Sequence, residues 1–206
     1  MLKTIVSIAH KNERPEQLKR TVKSLIHQCD ELHIYDNTKA FDYTDNAKFY
    51  HLQFLQEPCY YFSADDDLIY PTNYVQHTIE LIEKYGTIVT YHGRILKEPI
   101  KSYYKGHTVF DFRGEQLKDY FVDVAGTGVC GFRTDYFDPH TIYLSEYKCM
   151  SDLVFSLEAK RQGKKIICAS RKQNWIRQQE VDGGIMQSFG NTKQEQQIEL
   201  AKLILE

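Results

Sequence analysis

The sequence predicts an α/β fold, a three-layer sandwich built around a mostly parallel sheet. Short apolar runs alternate along the chain with longer segments whose apolar residues recur at helical spacing. Strands that alternate with helices in this order pack as a sheet between helical layers. A chain of 206 residues can bury the core of one such domain, and it shows no internal repeat or domain boundary.

In the first half of the chain, short apolar runs predict the strands. These are residues 4–9, 32–35, 49–52, 59–62 and 87–91. The helix after the first strand begins near Pro15, because proline suits the first helical position, and its apolar stripe reaches Cys29. A second helix runs from Thr72 to Tyr85, and Gly86 ends it.

The second half continues the alternation. Residues 93–107 contain three lysines and predict an exposed connection. The elements that follow are a short helix at residues 115–120, a strand at 121–125, a helix at 151–162, a strand at 166–169 and a helix at 193–206. Ser151 is the predicted N-cap of its helix and Gly163 the predicted stop.

Composition excludes several classes of protein. The net charge of −2 gives no basic face for nucleic acid. No stretch approaches the ~20 apolar residues of a membrane span, and the first residues lack a signal-peptide pattern. The five cysteines are scattered without a CxxC pair, which argues against a zinc site or a disulfide framework. We therefore expect a cytoplasmic protein with reduced thiols.

Three consecutive carboxylates, Asp65, Asp66 and Asp67, follow the strand at residues 59–62 and precede Pro71. We call these three residues the acidic tract. Like charges this close repel one another, so a bound cation would stabilise them. Mg²⁺ and Mn²⁺ take oxygen ligands and are held by carboxylates together with substrate phosphates. The tract therefore predicts a metal site that carries a diphosphate, and the alternative is a solvated acidic turn before the next helix.

A second motif lies at residues 126–131, which spell the GxGxxG pattern of dinucleotide-binding proteins. That pattern functions between a strand and a long helix. Here the following segment breaks at Asp138 and Pro139, which leaves little room for such a helix. We interpret Gly126 and Gly128 as part of a floor where the backbone approaches a ligand closely.

The order and spacing of these segments resemble the family-2 glycosyltransferases, which have the nucleotide-sugar-binding A fold (GT-A). The resemblance spans about residues 3–170. Its matching segments are residues 6–15 with the helix after them, residues 32–37, the acidic tract with Pro71, and residues 150–155 with 161–166. The chain departs from the family where Ser151 replaces a glutamate and where the QxxRW pattern of processive polymerases is absent.

The resemblance implies a metal-dependent, inverting transferase that moves one sugar from a nucleotide sugar, in our reading a UDP-sugar. The acceptor would be a hydroxyl of a glycan or glycolipid in cell-surface polysaccharide synthesis. Peripheral association with a membrane would be compatible with such an acceptor. The whole chain, residues 1–206, would be one domain. Residues 1–91 would form its nucleotide-binding half, and residues 92–206 its acceptor-side half with the C-terminal helix.

The resemblance also assigns roles to residues. Asp152 would be the catalytic base, with a helix-start acid as the alternative. Mn²⁺ or Mg²⁺ would bind the acidic tract, either through Asp65 and Asp67 or through Asp66 and Asp67. The nucleotide contacts would be Ala9, His10, Asn12, Arg14, Asp36 and Asp65, with a histidine in a surface loop as the alternative for His10. Asp36 would accept the N3–H of uracil, unless it only forms a turn. The sugar contacts would be Gly126, Gly128 and Trp175, although a lone tryptophan is more often a core residue.

The sequence is also compatible with two other functions. A sugar-phosphate nucleotidyltransferase also uses an α/β sheet, a metal and a nucleotide. Its glycine-rich loop after the first strand is missing, because residues 10–14 contain no glycine. A non-catalytic module that binds a sugar nucleotide or a glycan would keep the same fold without turnover.

Overall fold

The computed structural model of the chain describes residues 2–11, 14–180 and 191–206. The strands are β1 (Lys3–His10), β2 (Glu31–Asp36), β3 (Cys59–Ala64), β4 (Leu68–Ile69), β5 (Ile88–Thr90), β6 (Gly93–Ile95), β7 (Thr108–Phe110), β8 (Tyr120–Val122), β9 (Val124–Ala125), β10 (Val129–Arg133), β11 (Ile166–Cys168) and β12 (Arg177–Gln178). The helices are α1 (Pro15–Leu25), α2 (Tyr74–Tyr85), α3 (Ser151–Arg161) and α4 (Asn191–Leu205). Two segments, Thr44–Phe54 and Ile142–Leu144, are 3₁₀ helices.

The centre of the molecule is a seven-stranded sheet with the order β2-β1-β3-β10-β5-β11-β8. β1 pairs in parallel with both β2 and β3, and β5 pairs in parallel with β11. β10 and β8 run opposite to the other strands. The α/β class and the mostly parallel sheet are therefore confirmed, and the two antiparallel strands make the sheet mixed. Smaller sheets, β7-β6-β9 and β12-β4, lie outside it.

Apolar side chains cover both faces of this sheet, because successive strand residues point to opposite sides. On one face, Val6 and Ile8 of β1 join a buried cluster with residues of α1 and α2. On the other face, Ile5 joins a second cluster with the long 3₁₀ helix and α3. β3 is buried along its whole length, as expected of a strand covered on both faces.

The bounds of the helices follow local chemistry. α1 begins at Pro15, whose missing N–H suits the first turn. α2 ends at Gly86, which has φ +61° and forms a left-handed cap that residues with a Cβ rarely adopt. No helix in the described ranges is long and apolar enough to cross a bilayer.

Several predicted elements were wrong. Residues 49–52 belong to the 3₁₀ helix Thr44–Phe54 and not to a strand, since a short apolar run suits either element. Residues 115–120 form no helix, and the predicted strand at 121–125 divides between β8 and β9 in two different sheets. The connection at residues 93–107 contains β6 and contributes buried apolar side chains, so it is not simply exposed.

Candidate functional site

The acidic tract lies at the edge of the sheet where the parallel strands end. Register places His10 of β1 opposite Asp36 of β2, and Ile8 of β1 opposite Ala64, the last residue of β3. Binding sites of α/β sheets form at this edge, beyond the carboxyl ends of the strands. β10 approaches β3 from the opposite direction with Val129 beside Ala64, which brings Gly128 next to the tract.

Each carboxylate of the tract contacts a basic side chain of the chain itself. The pairs are Lys48 Nζ with Asp65 Oδ1 at 2.5 Å, His10 Nδ1 with Asp66 Oδ2 at 2.7 Å, and Arg14 Nη1 with Asp67 Oδ2 at 3.0 Å. The sequence predicted contacts of His10 and Arg14 with a nucleotide, and the structure places both at the tract. Protein side chains therefore supply part of the compensation that a bound cation would give.

Lys48 is a site residue that the sequence did not reveal, as are Thr127 and Asp45. The Lys48 side chain is only 4% exposed. Burial alone lowers the pKa of Lys48, but the charges of Asp65, Asp45 and Asp152 more than offset this and raise it, so the ammonium stays charged. Lys48 lies directly before the apolar run at residues 49–52, but this position does not by itself show that the lysine is buried and needs a partner.

The carboxylates of the tract nevertheless still repel one another. Burial, together with the charges of Asp65 and Asp66, raises the pKa of Asp67 to about 6 despite the nearby Arg14 and Lys48. One oxygen of each carboxylate makes no hydrogen bond to any described residue: Asp65 Oδ2, Asp66 Oδ1 and Asp67 Oδ1. Hard oxygen donors with residual negative charge fit Mg²⁺ or Mn²⁺. The residues present therefore fit the metal that the sequence predicts.

The turn at residues 126–128 forms the floor of the site, and its glycines are packed by neighbouring side chains. A Cβ on Gly128 would lie 1.9 Å from Asp65 Oδ2, and a Cβ on Gly126 would lie 2.7 Å from His92 Cβ. The Tyr70 hydroxyl accepts the N–H of Asp65 at 3.0 Å and donates to the Gly128 carbonyl at 2.5 Å. The backbone at Gly126 and Gly128 therefore packs closely against side chains of the protein itself. Contacts of these two glycines with a sugar stay predictions.

The middle residue of this turn, Thr127, holds the predicted base. Asp152 Oδ1 accepts hydrogen bonds from the Thr127 backbone N–H at 2.8 Å and from its hydroxyl at 2.7 Å. Asp152 Oδ2 makes no hydrogen bond in the described part of the chain. Asp65 and Asp152 therefore flank two adjacent residues of one turn, although they are far apart in sequence.

The first turn of α3 is anchored differently from the prediction. The helix begins at Ser151, and Met150 before it makes no capping bond through its side chain, so Ser151 is not the N-cap. The Ser151 hydroxyl donates instead to Asp45 Oδ2 at 2.6 Å and lies 2.8 Å from Thr127 Oγ1. These contacts tie α3, the floor turn and the long 3₁₀ helix together around Asp152.

Asp36 ends β2 but is engaged in its own turn. Its Oδ1 accepts bonds from the N–H of Thr38 at 2.9 Å and from the Thr38 hydroxyl at 2.6 Å, and its Oδ2 lies 3.2 Å from Lys39 Nζ. The bonds from Thr38, followed by Lys39, lower the pKa of Asp36 to about 2. The turn that the sequence offered as an alternative is therefore present, and uracil recognition stays a prediction.

The remaining predicted contacts lie in different places. Ala9 is a half-buried residue near the end of β1, and Asn12 lies outside the described residues. Trp175 packs against the core that α1 and α2 cover. Its ring centroid is 4.8 Å from that of Tyr91, 5.5 Å from His77 and 6.1 Å from Tyr74. These contacts favour the core role that was the alternative for Trp175.

The substitution Gly128→Ala should disrupt the site. The new Cβ requires the Asp65 carboxylate, which is paired with Lys48, to shift from its position, at a cost of about 1–3 kcal/mol in the free energy of unfolding. Urea unfolding measures this loss. Gly114→Ala is the control, because its Cβ would meet its nearest neighbour, the Asp111 carbonyl oxygen, at 3.4 Å. Equal stability of the two variants would show that Asp65 is not held over Gly128.

Residues of five chain segments meet at this site: the ends of β1 and β3, the 3₁₀ helix, the turn at residues 126–128 and the start of α3. Neither a model of a known protein family nor a curated protein sequence matches this chain. Two carboxylate centres therefore contact adjacent residues of one backbone turn. Each carboxylate of the acidic tract has one oxygen without a hydrogen bond to a described residue, and Asp152 is a single carboxylate oriented by Thr127.

Proposed function

We propose that this chain is a metal-dependent, inverting glycosyltransferase of GT-A type that uses a nucleoside diphosphate sugar as donor. One observation carries the proposal. The acidic tract and Asp152 contact adjacent residues of one turn, since Asp65 Oδ2 packs against Gly128 and Asp152 Oδ1 is hydrogen-bonded to Thr127, so a leaving diphosphate and an acceptor hydroxyl would meet at this turn. The family resemblance of the sequence supports the same function, with UDP as the nucleotide and a glycan or glycolipid hydroxyl as the acceptor.

The diphosphate side of the site is formed by the acidic tract. Mg²⁺ or Mn²⁺ bound there would act as a Lewis acid that neutralises the departing diphosphate. The chain's own contribution is to fix the three carboxylates: Lys48, His10 and Arg14 each hold one oxygen, and the other oxygen bonds to no residue that the structure describes. Arg14 also stands directly before α1, whose N-terminus attracts anions.

The acceptor side is formed by Asp152. Thr127 occupies one oxygen of this carboxylate with two hydrogen bonds and so fixes the orientation of the other. The free oxygen would take the proton of the acceptor hydroxyl as that hydroxyl attacks the anomeric carbon. A single base without a protein nucleophile gives one displacement and therefore inversion, through a transition state with oxocarbenium character.

The test is release of UDP from UDP-sugars by the purified chain with Mn²⁺. A transferase releases UDP slowly by hydrolysis of the donor, and faster when an acceptor is present. A nucleotidyltransferase would instead consume pyrophosphate and release a sugar phosphate, and a binding module would bind the donor without turnover. Either of these results would overturn the proposal, provided that circular dichroism shows folded protein.

Recognition of uracil by Asp36 has its own test. Asp36→Ala should weaken UDP binding, because the uracil N3–H would lose a hydrogen bond to a charged group. GDP binding should change less, because guanine presents a different edge. Calorimetry with both nucleotides measures the difference, and Asp42→Ala in the same exposed loop is the control. An equal loss for UDP and GDP would show that Asp36 supports the turn and does not read the base.

A further inference from the structure

Two histidines and a glutamate cluster at the edge of the central sheet, at the end opposite to the acidic tract. Glu31 and His33 lie two residues apart at the beginning of β2, so their side chains share one face. His51, on the long 3₁₀ helix, covers that face. Its ring stacks on the ring of His33, with 3.4 Å between centroids and 19° between planes. His33 Nε2 lies 3.1 Å from Glu31 Oε2.

The ligand atoms of this cluster are close together and partly unused. One such atom from each residue lies within 4.8 Å of the other two. His51 makes no hydrogen bond to any described residue, so its ring nitrogens are available.

We infer that Glu31, His33 and His51 form a binding site for Zn²⁺ or a cation of similar preference. Two imidazoles and one carboxylate are a known zinc donor set, with the fourth position open to water. In a tetrahedral site the ligand atoms are about 3.3 Å apart. The pair His33 and Glu31 already has this spacing, and binding of the cation would require the stacked rings of His33 and His51 to tilt so that a nitrogen of each ring faces the metal. The scattered cysteines argued against a zinc site, and this one uses none of them.

Lys3 occupies the remaining oxygen of the glutamate. Its ammonium pairs with Glu31 Oε1, while Oε2 faces His33. The Lys3 side chain is 51% exposed and can therefore withdraw into solvent without leaving a buried charge. The ion pair neutralises Glu31 in the metal-free protein, and a metal would bind the oxygen on the other side.

A metal bound at this site would hold the 3₁₀ helix Thr44–Phe54 against β2. In a 3₁₀ helix, residues three apart lie above one another, which aligns Asp45, Lys48 and His51. Holding His51 on β2 would fix the helix that presents Lys48 to Asp65 and Asp45 to Ser151. The inferred site is separate from the tract and does not depend on the proposed transfer reaction.

The test is metal binding by the full chain after removal of metals with a chelator. Zn²⁺ affinity is measured by competition with a chelating dye, and Co²⁺ provides the visible spectrum of the site. His33→Gln and His51→Gln should each weaken Zn²⁺ binding at this site by about tenfold or more, since each removes one of three ligands. His140→Gln is the matched control, because His140 pairs with Asp138 at 2.8 Å but has no second histidine nearby in the described chain.

The variant Asp66→Asn distinguishes Zn²⁺ binding at this site from Zn²⁺ binding at the acidic tract. The inference requires Zn²⁺ binding that persists in Asp66→Asn and His140→Gln, is weakened by about tenfold or more in His33→Gln and His51→Gln, and gives the intense Co²⁺ bands of a four- or five-coordinate site. If His51→Gln does not fold, the Zn²⁺ affinity of His33→Gln, whose substitution lies on the edge strand β2, decides the test. Unchanged Zn²⁺ affinity in His33→Gln, or binding that only Asp66→Asn removes, would overturn it.

Discussion

Replacing Lys48 by Met should destabilise the protein and misplace Asp65. The substitution keeps most of the apolar stem but removes the only charge that Asp65 contacts directly in the described chain. Asp45 and Asp152, whose charges also act on Lys48, would lose the same compensation. Breaking a buried ion pair costs about 3–5 kcal/mol. Because Asp65 is 45% exposed, we expect a smaller loss of about 2–3 kcal/mol.

Urea unfolding at neutral pH measures this effect. Lys39→Met is the matched control, since Lys39 pairs with Asp36 but its side chain is 80% exposed. An exposed substitution of this kind changes the free energy of unfolding by about 0.5 kcal/mol or less. Equal stabilities of the Lys48 and Lys39 variants would show that the buried ammonium does not hold the tract together.

The second large effect should come from Asp152→Asn. Asparagine retains an oxygen that can accept both hydrogen bonds from Thr127, so the floor turn and the start of α3 should be preserved. It cannot accept a proton, and loss of a general base costs about 10²–10⁴-fold in rate. Binding of the donor should hardly change, because the tract that holds the diphosphate is intact.

Single-turnover transfer rates measure the loss. Glu146→Gln is the comparison, because Glu146 is a carboxylate near the start of α3 that the proposal leaves without a role. Transfer by Asp152→Asn within a few-fold of the parent rate would show that Asp152 is only a helix-start acid. The base would then be another carboxylate, with Asp123 and Glu146 the next to test.

The sequence predicted the elements whose chemistry is local. The strand–helix–strand unit from β1 to β2, the buried β3 before the acidic tract, and α2 with its glycine stop all follow from apolar spacing and capping residues. The position of the tract also follows, since parallel strands end at one edge of a sheet. The antiparallel insertion of β10 does not, because the order of strands in a sheet depends on contacts between distant segments.

In the site, too, the sequence predicted what depends on local chemistry and did not predict what depends on contacts between distant segments. Asp65 and Asp152 stand out in the sequence, but the turn that lies between them becomes visible only when β10 is placed beside β3. Lys48 was hidden because the run around it suits a strand as well as a 3₁₀ helix. The repulsion within the tract was foreseen correctly, but the chain itself supplies part of the compensation.

The most direct test of a nucleotide-diphosphate site at the tract is calorimetric titration with UDP, with and without Mn²⁺. We predict binding that requires the metal in the parent chain and is lost in Asp67→Asn. The variant should remain as stable as the parent, because removing that charge relieves repulsion with Asp65 and Asp66. UDP affinity that is the same without Mn²⁺, or unchanged in a folded Asp67→Asn protein, would contradict the account.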